Sequence, residues 1–163
     1  MSQNRLRWIH SGGGPLVLLQ HSTLPLWQGV EGDDYAAACS VRGYTGVLMR
    51  HGRDALVLAD EPLETAYHES GAHRFLVQWS FAPDEVSVTD ALAALPSTAV
   101  EPLQEVSFDI VDDRQILMDA ATPRGEAREH LALSLAPGHY AVRTLAYRPS
   151  ADVELILHEL LLR

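Results

Sequence analysis

Alternation with a period of two dominates this chain. Phe75, Val77, Trp79 and Phe81 fall on one face of a strand, with Arg74, Gln78 and Ser80 on the other. Val106, Phe108 and Ile110 alternate with Ser107 and Asp109, and Leu131, Leu133 and Leu135 with the smaller Ala132 and Ser134. Tyr140, Val142 and Ala146 mark a further strand with Arg143 opposite. Val153, Leu155 and Leu157 alternate with Glu154 and His158 in the last one. Such spacing predicts strands with one buried face. Shorter apolar runs fit strands over 7–10, 16–20, 46–50, 55–59 and 116–119.

The segments between these strands read as hairpins, which implies antiparallel pairing, because parallel neighbours need long crossovers. In His51-Gly52-Arg53-Asp54, Gly52 supplies the positive φ of a tight turn. Asp112-Asp113-Arg114-Gln115 and Pro149-Ser150-Ala151-Asp152 carry similar turn chemistry, and Ala136-Pro137-Gly138 turns one strand into the next. Two short helices are expected. Asp33 caps one that reaches about Val41. Ser87 and Asp90 have capping-box spacing, with Asp in place of Glu or Gln, ahead of a helix stopped by Pro96. Residues 122–129 hold Pro123 and Gly125 and read as an exposed loop. The fold class is therefore α+β and β-rich, with antiparallel sheets built from hairpins and two short helices. Strand order is not encoded in these patterns. At 163 residues the chain reads as a single domain over 1–163, with 96–102 the place for a subdomain break. A chain this long buries roughly two-thirds of its unfolded surface and needs no metal or disulfide to fold.

Composition narrows the function classes. The net charge is -10, and all twelve basic residues are arginine, a usage that fits a GC-rich genome. An acidic chain repels nucleic acid and anionic membranes and is suited to meet basic proteins. The single cysteine, Cys39, cannot form an internal disulfide, which fits a reducing compartment. The polar start leads into no long apolar run, so no signal peptide is expected, and no stretch is long enough to span a bilayer. A cytoplasmic location follows as the expectation.

Candidate chemistry is sparse. Ser11-Gly12-Gly13-Gly14-Pro15 precedes a strand rather than a helix, so it reads as a tight strand connection and not a phosphate cradle. His68 and His73 lie five apart, one residue too many for two imidazoles on one helical face, and Gly71 interrupts them; an exposed loop is expected. The remaining histidines are scattered, and His158 reads as a surface or interface residue. Cys39 shares a small-residue face with Ala36 and Gly43, which fits buried packing better than nucleophilic catalysis. Trp79 and Trp8 point to the core. Trp27 follows Leu24-Pro25-Leu26 in a loop, as an exposed aromatic anchor or as a lid on a sheet. The carboxylates form three groups: Glu31, Asp33 and Asp34; Asp60, Glu61 and Glu64; Asp112 and Asp113. Each is a solvated surface, or part of an electronegative face that pairs with a basic partner. No residue is assigned a catalytic, cofactor-binding or metal-binding role.

One resemblance bears on function. The Gly-Gly-Pro-Leu step into the strand at 16–20, Trp27-x-Gly29, Asp34-Tyr35-x-x-Ala38-Cys39 and the run from Ala55 to Pro62 resemble the immunity protein 21 family. The likeness continues through Phe75-Leu76-Val77-Gln78-Trp79 and Pro137-Gly138-His139-Tyr140-Ala141-Val142, with Leu155-Ile156-Leu157-His158. The family implies a small bacterial protein of a polymorphic toxin system that binds and neutralises a cognate toxin domain without catalysis. No contact residue carries over, because these are mostly glycine, proline and apolar positions. The acidic balance suits a basic toxin such as a nuclease, with Trp27 and the three carboxylate groups as candidate partner-binding residues. A regulatory or structural β-domain that binds another protein, and a small-molecule binder or enzyme, stay open as alternatives. Oligomeric state is open as well.

Overall fold

The alternating pattern builds two antiparallel sheets in a computed structural model that describes residues 5–96, 101–126 and 129–163. The strands are β1 (Trp8–Ile9), β2 (Leu16–Gln20), β3 (Thr45–Arg50), β4 (Arg53–Leu58), β5 (Thr65–Ser70), β6 (His73–Phe81), β7 (Gln104–Ile110), β8 (Gln115–Asp119), β9 (His130–Leu133), β10 (Gly138–Ser150) and β11 (Val153–Leu162). The helices are α1 (Asp34–Cys39) and α2 (Glu85–Ala93), with 3-10 turns at His21–Leu26 and Gly29–Glu31. One sheet runs β1-β5-β6-β11-β10-β7 and the other β3-β4-β2-β8-β9. Each sheet draws strands from both sides of residues 97–100, and the expected subdomain break at 96–102 falls largely on those residues, outside the described ones.

The parity of each strand sorts its side chains into three apolar layers. Leu76, Phe108, Tyr140, Val142 and Leu160 of the first sheet meet Leu16, Leu18, Leu56, Leu117 and Leu133 of the second, between the sheets. The odd-numbered residues of β6 and β11, among them Phe75, Val77, Leu155 and Leu157, face outward and are covered by Val88 and Leu92 of α2. Val17, Leu19, Val57 and Met118 face out of the second sheet and are covered by Trp27, Leu24 and Ala38. Each fully buried leucine of these layers contributes about 1.5–3 kcal/mol relative to exposure.

Two of the expected hairpins are corners instead. β7 and β8 lie in different sheets, as do β9 and β10, so the chain changes sheet at 111–114 and again at 134–137. Buried glutamines take the place of a partner strand there. The Gln20 Oε1 accepts from the backbone N–H groups of Val111 at 2.7 Å and Asp112 at 3.1 Å. Gln115 Nε2 donates to the Asp112 carbonyl at 2.7 Å, and its Oε1 accepts from Leu135 N–H at 2.8 Å. A glutamine amide offers both a donor and an acceptor, so it satisfies buried backbone groups that would otherwise cost several kcal/mol. The hairpins at His51-Gly52 and Ala151-Asp152 form as expected, the first with φ of 54° and 80° at its two central residues.

Local details also depart from the expectations. The segment 68–73 is not a loop: it is the end of β5, a two-residue turn at Gly71-Ala72, and the start of β6. The N-cap of α2 lies three residues before the expected capping box, at Asp84, which accepts from Ser87 N–H at 2.8 Å. Asp33 does precede α1, but its carboxylate makes no cap bond. α1 buries Asp34 and Ala38, one helical turn apart, and that orientation leaves Cys39 exposed rather than packed. Thr122 and Pro123 are buried, whereas 124–126 are exposed as expected and 127–128 lie outside the described residues. His158 is buried, because β11 lies inside the first sheet between β6 and β10 and both of its faces are covered.

Candidate functional site

The β3–β4 hairpin tip gathers charge from loops far apart in sequence. Asp34, at the start of α1, has only 1% of its side chain exposed. Its carboxylate accepts from Gln28 N–H at 2.8 Å and from Arg50 Nε at 2.8 Å, and His51 Nε2 lies at 3.1 Å. Burial alone would raise its pKa. The hydrogen bonds from Gln28, His51 and Arg50 outweigh that and hold it below the usual carboxylate range. Arg50 also reaches Asp33 at 2.6 Å, and Asp33 stays exposed. Asp34 is thus the internal anchor of the tip, and Asp33 is its surface charge.

The other side of the same tip meets the first corner. Arg53 Nε lies 4.0 Å from Asp112. Asp112 accepts from Ser22 through both hydroxyl and backbone N–H, at 2.5 and 2.9 Å, and these bonds lower its pKa. Asp54 accepts from Asp109 N–H at 2.9 Å, and Asp109 pairs with His139 at 2.5 Å. Gln20 ties these pieces together beneath the surface, donating to the carbonyls of Asp54 and Asp109 at 3.1 and 3.0 Å. Asp33, Asp109 and Asp113 remain exposed around this end of the molecule. Two of the three carboxylate groups read from the sequence therefore share one end of the sandwich.

The third group does not join them. β4 runs from Arg53 at the tip to Leu58, so Asp60, Glu61 and Glu64 lie beyond its opposite end. There His10 bridges Glu64 at 2.9 Å and Glu129 at 3.3 Å, and the hydrogen bond to Glu129 is the main cause that raises its pKa. Glu31 is exposed on the Gly29–Glu31 turn. Trp27 is 1% exposed, so it is the lid of the second sheet and not a surface anchor. Its Nε1–H donates to the Ala120 carbonyl at 3.0 Å, which satisfies the indole without solvent.

His68 and His73 sit on opposite strands of a hairpin, and His73 pairs with Glu159 at 2.9 Å. Among the described residues, no group of three or more His, Cys, Asp or Glu side chains is placed to hold a metal ion. The glycine-rich segment connects the two sheets: Gly12 N–H donates to Asp119 Oδ2 at 2.8 Å, and Tyr35 packs where a Cβ on Gly14 would stand. Among the described residues, no helix is long and apolar enough to cross a membrane. Sequence reasoning missed Arg50 and Gln20. An arginine beside a hairpin turn signalled the first, whereas nothing local marked a glutamine at a strand end as the tie between two sheets.

The family model for immunity protein 21 matches residues 7–153. No curated protein and no solved structure matches the chain. The match spans nearly the whole chain, and the protein belongs to the immunity protein 21 family.

Proposed function

We propose that this protein neutralises a cognate bacterial toxin domain by binding it through a non-catalytic interface, and that the toxin surface it meets is basic. The family match over residues 7–153 carries the first part. An inhibitor of this kind needs a rigid scaffold and a complementary surface. A stable pair would bury on the order of 1,600 Å² in total. The charge of -10 and the hairpin-tip face support the second part. There Asp33, Asp109 and Asp113 are exposed while Asp34 and Arg50 fix the loop that presents them. A nuclease that must attract phosphate presents the opposite potential, and opposed potentials speed association and reject wrong partners. The groups at Asp60, Glu61 and Glu64 form a second acidic face at the other end.

The test is calorimetry of the chain against the toxin domain encoded beside its gene, at low and moderate salt. Tight binding that weakens with salt is expected. Neutralising Asp33 and Asp113 to asparagine is expected to slow association several-fold and to flatten the salt dependence. Absence of binding to a folded toxin domain would overturn the neutralisation reading. Tight binding indifferent to salt and to both substitutions would overturn the basic-partner reading.

A further inference from the structure

The apolar layer between the sheets reaches the surface at the β3–β4 tip. Thr45, Val47 and Met49 of β3 share the face turned toward the first sheet, because side chains alternate along a strand. Thr45 is buried and Val47 packs into the layer, yet Met49 is 67% exposed, more than any other large apolar side chain among the described residues. The course of β7 explains the difference. At its start Gln104 meets β3: its Oε1 accepts from Tyr44 and Thr45 N–H at 2.8 and 3.1 Å, and its Nε2 donates to the Thr45 carbonyl at 2.9 Å. Near its end Asp109 N–H donates to Asp54 of β4 at 2.9 Å. The edge of the first sheet therefore passes from β3 to β4 and leaves the last inward position of β3 uncovered.

Val111 is a second exposed apolar group at this end, at 55%. It follows Asp109 by two residues, and Gln20 Oε1 holds its N–H at 2.7 Å. The same Gln20 amide holds the carbonyls of Asp54 and Asp109 through Nε2. Met49 stands opposite Asp54 in the β3–β4 ladder. Met49 and Val111 thus flank the Asp54–Asp109 contact. The charged groups of the tip and the adjoining corner are Asp33, Asp34, Asp54, Asp109, Asp112 and Asp113 against Arg50, Arg53 and Arg114, so the surroundings are acidic. The backbone beneath is fixed by Gln20, by buried Asp34 and by the bonds from Ser22 to Asp112. No loop has to be ordered here on binding, which removes one cost of association.

We infer that Met49 and Val111 are the apolar anchors of the toxin interface, and that they enter apolar ground on the toxin ringed by arginine or lysine. This inference rests on the basic-partner reading above. Apolar side chains inside a charged rim are the anatomy of a protein interface, and methionine is enriched there because its flexible, polarisable chain fills irregular gaps. Charge complementarity selects the occupant: the excess of carboxylates around the anchors calls for a basic rim on the partner. A second copy of this protein would bring the same acidic tip against it, so it is the poorer occupant. The two kinds of group divide the work. Exposed carboxylates speed the encounter, and apolar contacts dried in the complex slow its dissociation.

The test uses Met49→Ala, Val111→Ala and Val86→Ala in the full chain, with association and dissociation rates measured against the toxin domain encoded beside its gene. Val86 is the control: it is 64% exposed, but on α2, which packs on β6 and β11 and not on β7. All three side chains are exposed, so the variants are expected to melt close to the parent. Met49→Ala and Val111→Ala are each expected to raise the dissociation rate at least about fivefold. Their association rates are expected to stay within about twofold of the parent, with the same salt dependence. Val86→Ala is expected to match the parent in both rates. A parent-like dissociation rate in either tip variant would overturn the anchors and leave toxin binding standing. An equal rise in Val86→Ala would overturn them as well. A parent that does not bind would overturn both readings. A parent homodimer that Met49→Ala dissolves would make a second copy the occupant and overturn the inference.

Discussion

His158 is expected to make this fold acid-sensitive well above the carboxylate range. Its ring is fully buried between β10 and β6, with Nδ1 at 2.9 Å from Thr144 Oγ1 and Nε2 at 2.7 Å from Gln78 Oε1. The glutamine oxygen only accepts, so Nε2 carries the proton and Nδ1 accepts from the threonine hydroxyl. Burial pushes the imidazole pKa down from 6.5 to about 3. Below pH 6.5 the unfolded chain takes up a proton at this site and the folded chain does not, so stability falls as pH falls. The loss approaches about 1.4 kcal/mol per pH unit below pH 6.5 and comes to about 2 kcal/mol between pH 6.5 and 4.5. Against a typical stability of about 5–15 kcal/mol that is a large share. His158→Leu removes the titration but strands Gln78 Oε1 and Thr144 Oγ1, at about 1–3 kcal/mol each, partly offset by leucine burial. The assay is urea unfolding from pH 7.5 to 4.5, followed by tryptophan fluorescence. The variant is expected to be the less stable protein at pH 7.5 and to lose less stability on acidification. His10, whose raised pKa acts with the opposite sign, is common to both proteins and cancels in the difference. Asp34, Asp84 and Asp112 have lowered pKa values and act only below this window. Parallel curves for the two proteins would refute the argument.

Two further perturbations probe the scaffold. Asp34→Asn puts an amide donor among the donors of Gln28, Arg50 and His51, and is expected to cost about 2–4 kcal/mol, measured by urea unfolding at pH 7. Because the parent carboxylate titrates below its ordinary value, its contribution is present above pH 3.8 and lost as pH falls through the lowered value, so the variant is also expected to respond less to acid there. Gly29→Ala is expected to cost about 2 kcal/mol or more: φ is +55°, and a Cβ would stand 2.2 Å from the Thr122 carbonyl oxygen, which backbone cannot yield. A melting temperature equal to the parent's would refute it.

The alternating residues of β7 and 131–135 told which side chains face inward, because burial on one face of a strand leaves a local period of two. Gly52 marked its hairpin for a similar reason, since a tight turn demands a local backbone conformation. The same logic misread Asp112-Asp113 and Ala136-Pro137. Turn residues show that the chain bends, not whether the next strand returns to the same sheet. That choice rests on partners supplied from elsewhere, such as Gln20 reaching Val111 from 91 positions away. His158 was misjudged because an alternating strand at the centre of a sheet covers both faces, and its partner Gln78 lies 80 positions off. The carboxylates were legible as charge. Only the fold separated the buried anchor Asp34 from the exposed Asp33 and set Asp60 at the far end. The sequence by itself determined the strands, their inward faces, the acidic balance and the family, all of which are local or summed properties. The tertiary structure alone decided sheet membership and which polar groups are internal, because each depends on contacts between residues the chain brings together only by folding.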